Sequence, residues 1–143
     1  MKTMTEKFKI LGQYIKDMSS ETKDIETFIF VKEKILKYNL DININSKPLK
    51  NKMVEINTIL KFEDKEETKH KSHFEMNYAT IIKVDENVKE KKELERIILC
   101  DVQNKIFPNL EKSFLNMLHN SGYGNVKFEK KIDFENLYSQ QFN

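Results

Sequence analysis

Glycine and proline are scarce in this 143-residue chain, with three and two residues, and cysteine occurs once. The lone Cys100 excludes a disulfide within the chain and suits a reducing compartment. With so little glycine, Ser121-Gly122-Tyr123-Gly124 is the one stretch to weigh as a phosphate loop. It follows a helical pattern where such a loop would precede one, so it reads as a helix stop and turn. Long apolar runs are missing too: Ile97–Cys100 is far short of a membrane span. Met1 to Phe8 is polar and lacks the apolar stretch of a signal peptide. A soluble, cytoplasmic protein without stable membrane insertion is therefore expected. Charge of one sign is also absent, since 25 basic and 23 acidic residues leave a net +2. The charges alternate along the chain, so no nucleic-acid partner is expected. His70, His73 and His119 with a single cysteine do not make a zinc set, and neither a metal nor another cofactor is expected. Cys100 follows Ile98 and Leu99 and reads as a packed thiol. Asp17, Glu21 and Glu75 are far apart in sequence and, on bare physics, read as surface carboxylates rather than a catalytic pair. Nothing in the chain specifies an enzyme.

What is present is alternation. From Tyr38 to Asn45 every even residue is apolar and every odd one polar, the mark of a strand with one buried face. The pattern returns at Val54, Ile56, Leu60 and Phe62, and at Phe74, Met76, Tyr78, Ile82 and Val84. Phe8, Ile10 and Tyr14 suggest a further strand near the N-terminus. The connecting segments are too short for parallel crossovers, which predicts antiparallel hairpins. After Asp85 the period changes. Lys89–Arg96 has the composition of a solvated helix, and Ile106, Leu110, Phe114, Met117 and Leu118 form the stripe of an amphipathic one. Pro108 is expected near the first turn of that helix and Gly122 at its stop. Asp133 is expected to cap a short final helix through Tyr138. Strands followed by helices make an α+β layout in a single domain, residues 1–143. Phe28-Ile29-Phe30-Val31 is left open: core, a fifth strand, or a flap over an apolar groove.

Several segments, in order, resemble the SecB protein-export chaperones. Gln13-Tyr14-Ile15-Lys16-Asp17-Met18-Ser19-Ser20-Glu21 looks like the first-strand signature, Leu40-Asp41-Ile42-Asn43-Ile44 like the second strand, and Phe74-Glu75-Met76-Asn77-Tyr78-Ala79 like the segment with Glu before Tyr. Cys100 followed by Ile106-Phe107-Pro108, then Gly122-Tyr123, then Ile132-Asp133-Phe134-Glu135-Asn136-Leu137-Tyr138-Ser139-Gln140-Gln141, match the rest. The resemblance implies a four-stranded antiparallel sheet with C-terminal helices packed on one face, assembled as a homotetramer, a dimer of dimers. It implies binding of unfolded preproteins in apolar grooves and docking to the SecA motor. The acidic docking positions of the family fall on Asp17, Glu21 and Glu75. Candidates for the groove are Tyr38, Leu40 and Ile42 as floor, Phe28 and Phe30 as flap, and Leu137, Tyr138 and Phe142 as wall. The family is usually strongly acidic, and this chain, at +2, departs from it. Two alternatives stand beside this reading: a SecB-like chaperone dedicated to one client such as an antitoxin, and a small α+β domain that binds a hydrophobic ligand.

Overall fold

The computed structural model describes residues 7–142, with side chains through residue 140. Four strands follow the alternating segments: β1 Phe8–Glu21, β2 Asn39–Pro48, β3 Met53–Glu63 and β4 His73–Val84. They form one antiparallel sheet in the order β1-β4-β3-β2. Helix α1, Ile25–Lys34, joins β1 and β2, which occupy opposite edges. Helices α2 (Lys91–Arg96), α3 (Val102–Asn120) and α4 (Phe134–Phe142) follow the sheet.

Register explains which side is buried. Leu60 pairs with Met76 and Phe62 with Phe74, and all four are buried against α3 residues Leu110, Phe114 and Leu118. The alternate residues Asp41, Asn43, Lys61 and Glu75 fall on the opposite face, which stays largely solvated. One buried amide ties the layers: Thr58 Oγ1 donates to Gln103 Oε1 at 3.0 Å, and Gln103 Nε2 donates to the Ile98 carbonyl at 3.3 Å.

One open alternative falls away and one expectation needs correction. Phe28-Ile29-Phe30-Val31 is helical, not a fifth strand. Asp24 caps the helix, its Oδ1 accepting from Thr27 N at 2.8 Å, and Thr27, Val31 and Ile35 recur four apart to bury one face. Pro108 does not open its helix. The helical run starts at Lys91 and passes through a π-helical stretch at Ile97–Asp101 into α3, because Ile97, Ile98, Cys100 and Val102 all have sheet to bury against. Pro108 and Asn104, whose carbonyl loses its partner, are both exposed, so water can satisfy that carbonyl.

The C-terminus of α3 ends as expected. Gly122 takes φ +106°, its N–H donates to His119 O at 3.1 Å, and Tyr123 N donates to Leu118 O at 3.0 Å, a Schellman stop. Asp133 caps α4, accepting from Asn136 N at 3.1 Å.

Candidate functional site

A large open concavity lies along edge strand β2. Leu40 and Ile42 point to the core side of the sheet, yet each is only half-buried. They line an open cleft of about 980 Å³ with Leu36, Phe128, Ile132 and Leu137. A smaller cleft of about 220 Å³ shares Ile42 and Leu137 and continues along Ile44, Leu99, Phe134 and Tyr138. Together they make an apolar groove along β2 with Leu137 at its middle. Phe128 holds its wall in place, edge-on to Phe62 at 5.5 Å and stacked on Phe114 at 6.2 Å. Arg96 Nη2 donates to Glu135 Oε1 at 2.7 Å and anchors α4 on the other side. Polar groups are spaced along the rim, among them Asp41, Lys127, Glu129 and Lys130. Glu111 also lines the cleft, and burial pushes its carboxyl above the usual range.

The sequence candidates separate into two groups. Leu40, Ile42, Leu137 and Tyr138 come together in this groove. Tyr38 lies beneath it in the core at 7% exposure, its hydroxyl accepting from Ser72 N at 3.2 Å. Phe28 packs on Tyr123 at 5.4 Å and Phe30 on His70 at 5.6 Å, beside the groove rather than lining it. The side chain of Phe142 lies outside the described residues. Sequence reasoning missed Leu36 and the segment carrying Phe128 and Ile132. The alternation Val126, Phe128, Ile132, Phe134 was the available signal for the latter.

Asp17, Glu21 and Glu75 are brought together by register. Asp17 pairs with Asn77, Ser19 with Glu75 and Glu21 with His73, so the three acids share the solvated face. Glu75 lies 3.9 Å from Lys61 Nζ and 3.6 Å from His73 Nε2, while Asp17 and Glu21 are exposed. The other two histidines have local hydrogen bonds, His70 Nδ1 with Thr27 Oγ1 at 3.2 Å and His119 Nε2 with Val126 O at 2.9 Å. Burial raises the Cys100 thiol above its ordinary pKa, which keeps it protonated and a poor nucleophile. Among the described residues no group of three His, Cys, Asp or Glu is placed to hold a metal ion, and no helix is long and apolar enough to cross a membrane.

Comparison with known proteins adds three findings. The family model described as preprotein translocase subunit SecB matches residues 1–143. A candidate protein-export protein SecB of Pelagibacter ubique (strain HTCC1062) is 61% identical over 140 residues, covering 98% of this chain and 100% of the relative. In structure the chain is similar to the Mycobacterium tuberculosis Rv1957 SecB-like chaperone, solved with a ChAD peptide from the Rv1956 HigA1 antitoxin. The TM-score is 0.64 at 8% identity, over 87% of this chain and 91% of that one, a likeness of fold.

Proposed function

The chain belongs to the SecB family, and from that premise we propose that it is an export chaperone that holds unfolded preproteins in the β2 groove and delivers them to SecA. The observation that carries this is the open apolar groove. A sheet with helices on one face has one core, yet Leu40, Ile42 and Leu137 remain only partly covered after α3 and α4 have packed. Unfolded chains expose apolar side chains, and burying them gains about 25 cal/mol per Å². A shallow groove with an apolar floor inside a polar rim reads hydrophobicity rather than sequence, as promiscuous binders do. No bond is made or broken; release follows when the motor competes for the client.

The same reading makes the protein a single cytoplasmic domain assembled as a homotetramer. Edge strand β1 supports self-association, because Leu11, Tyr14, Ile15 and Met18 are each 43–50% exposed along it. Light scattering should then read about four chains, a dimer of dimers; a stable monomer would count against the assembly.

The acidic face is the proposed SecA contact. Changing Asp17, Glu21 and Glu75 together to lysine should abolish measurable SecA binding in calorimetry at low salt and leave client binding intact. Added salt should weaken the wild-type complex, since exposed charges are screened beyond about 10 Å at 0.1 M. Unchanged affinity in the triple variant would reduce these acids to ordinary surface residues. The 61%-identical relative, named for protein export, favours an export role over a dedicated one. The Rv1957 neighbour carries an antitoxin peptide, so capture of one stoichiometric partner in place of many precursors would favour the dedicated reading.

A further inference from the structure

We propose that the end of the sheet farthest from the groove mouth, formed by the β2–β3 hairpin and the segment after β4, docks on the surface of an anionic phospholipid bilayer. Residues 47–53 and 83–92 hold seven lysines and three acids, a net +4 in a chain whose total is +2. The remainder is therefore left at −2, and the positive charge of the molecule is concentrated at this end.

The fold presents these lysines together. Asn51 and Lys52 take φ of 61° and 62°, and Lys50 O accepts from Met53 N at 3.3 Å, so a tight left-handed turn projects the hairpin tip. Val84 N donates to Lys52 O at 2.8 Å and binds the tip to the end of β4. Val88 is buried at 6% exposure and holds the following Lys89-Glu90-Lys91 beside the tip. None of the ion pairs among the described residues uses Lys47, Lys50, Lys52, Lys89 or Lys91. Lys52, Lys89 and Lys91 rim an apolar cleft of about 300 Å³ lined by Pro48, Leu49, Met53 and Leu94, with Glu90 as its one acid. Leu49 is 37% exposed. A cationic rim around accessible apolar side chains fits a phospholipid surface, whose phosphates attract lysine and whose acyl boundary accepts leucine. Single-stranded RNA fits less well, because these two segments contain no aromatic side chain on which a base could stack.

Orientation supports the same partner. At the opposite end of the strands, about 35 Å away for strands of this length, residues 63–71 hold four acids and three lysines, a net −1, beside Glu21. An anionic surface therefore favours the lysine-rich end over the other. Leu36 and Leu40 stand at that far end too, so docking leaves their end of the groove open, while Tyr138 at its other end reaches Lys92 O at 3.4 Å.

The test is flotation of the full chain with phosphatidylcholine vesicles, with and without phosphatidylglycerol. Binding should require phosphatidylglycerol and be lost in high salt. Each lysine at such a surface is worth roughly a fivefold gain in partitioning. Lys50→Glu with Lys89→Glu should therefore lower binding at least about tenfold, while Lys112→Glu with Lys127→Glu lowers it much less. Leu49→Ser, which leaves the charge unchanged, should also weaken it. Circular dichroism checks folding, and should the double reversal not fold, Lys50→Gln with Lys89→Gln takes its place. The proposal is overturned by absence of binding to phosphatidylglycerol vesicles, by equal loss in the two lysine pairs, or by single-stranded RNA displacing the protein from vesicles.

Discussion

Leu40→Glu combined with Ile42→Glu is expected to lower affinity for an unfolded client at least about tenfold, or roughly 1.4 kcal/mol. The physical cause is desolvation. A client that buries apolar side chains in the groove would also have to bury two unpaired carboxylates, and that is costly. Both side chains are partly exposed and face the cleft, so the glutamates can reach water in the client-free protein. Cooperative unfolding by circular dichroism should persist, and fluorescence anisotropy of a labelled unfolded preprotein supplies the affinity. Loss of folding would assign the pair to the core. Unaltered client affinity in a folded variant would move the groove elsewhere. Tyr38→Ala is the informative contrast: that ring is buried and contacts Phe62 at 5.5 Å, so its loss should act on stability.

Gly122→Ala is expected to destabilise the fold by about 2–4 kcal/mol, from left-handed strain together with overpacking. At φ +106° an L side chain is strained, and an added Cβ would stand 2.6 Å from Phe28 Cε1 and 3.2 Å from Cζ. Retreat of the half-buried Phe28 ring would loosen its packing on Tyr123, which is fully buried and edge-on to Phe74 at 5.4 Å. The Tyr123 hydroxyl also closes a ring of three, 2.9 Å from Thr22 Oγ1 and 3.0 Å from Ser72 Oγ. The damage would therefore spread to the ends of β1 and β4. Calorimetry should record a fall in Tm on the order of 8 °C for a chain of this size. Gly124→Ala is the control. Its Cβ would meet nothing within 4 Å and its φ is not left-handed, so its effect should stay within about 0.5 kcal/mol. Equal effects at both positions would show that neither the backbone strain nor the Phe28 contact governs this corner.

Much of this architecture was legible because period two and period 3.6 are direct consequences of backbone geometry. Each strand lies where its alternation placed it, and Gly122 and Asp133 end and begin helices as their chemistry requires. The α1 segment was not legible in the same way. Phe28-Ile29-Phe30-Val31 has the composition of a strand, and the choice of helix rests on the Asp24 cap and on burial of Thr27, Val31 and Ile35 along one stripe. Propensity yields here to tertiary contact. The start of the long helical run was likewise hidden, since Pro108 is a weak stop when the carbonyl it orphans faces water.

The faces follow from local pattern alone. Alternation puts Tyr38 and Leu40 on the same side; the strand itself begins at Asn39, and Tyr38 ends the 3-10 turn Ile35–Lys37 that precedes it. It also put Asp17, Glu21 and Glu75 on strands, though far apart along the chain. Which apolar residues are covered and which charges meet depends on long-range packing. Leu60 and Ile42 pair directly and share one face, yet Leu60 is fully buried and Ile42 is half-open. The reason is position in the sheet. Helices cover the central strands β3 and β4 first, and an edge strand keeps whatever apolar surface the helices do not reach. Cross-strand register, a long-range property invisible to local pattern, is likewise what gathers the three acids on one solvated face.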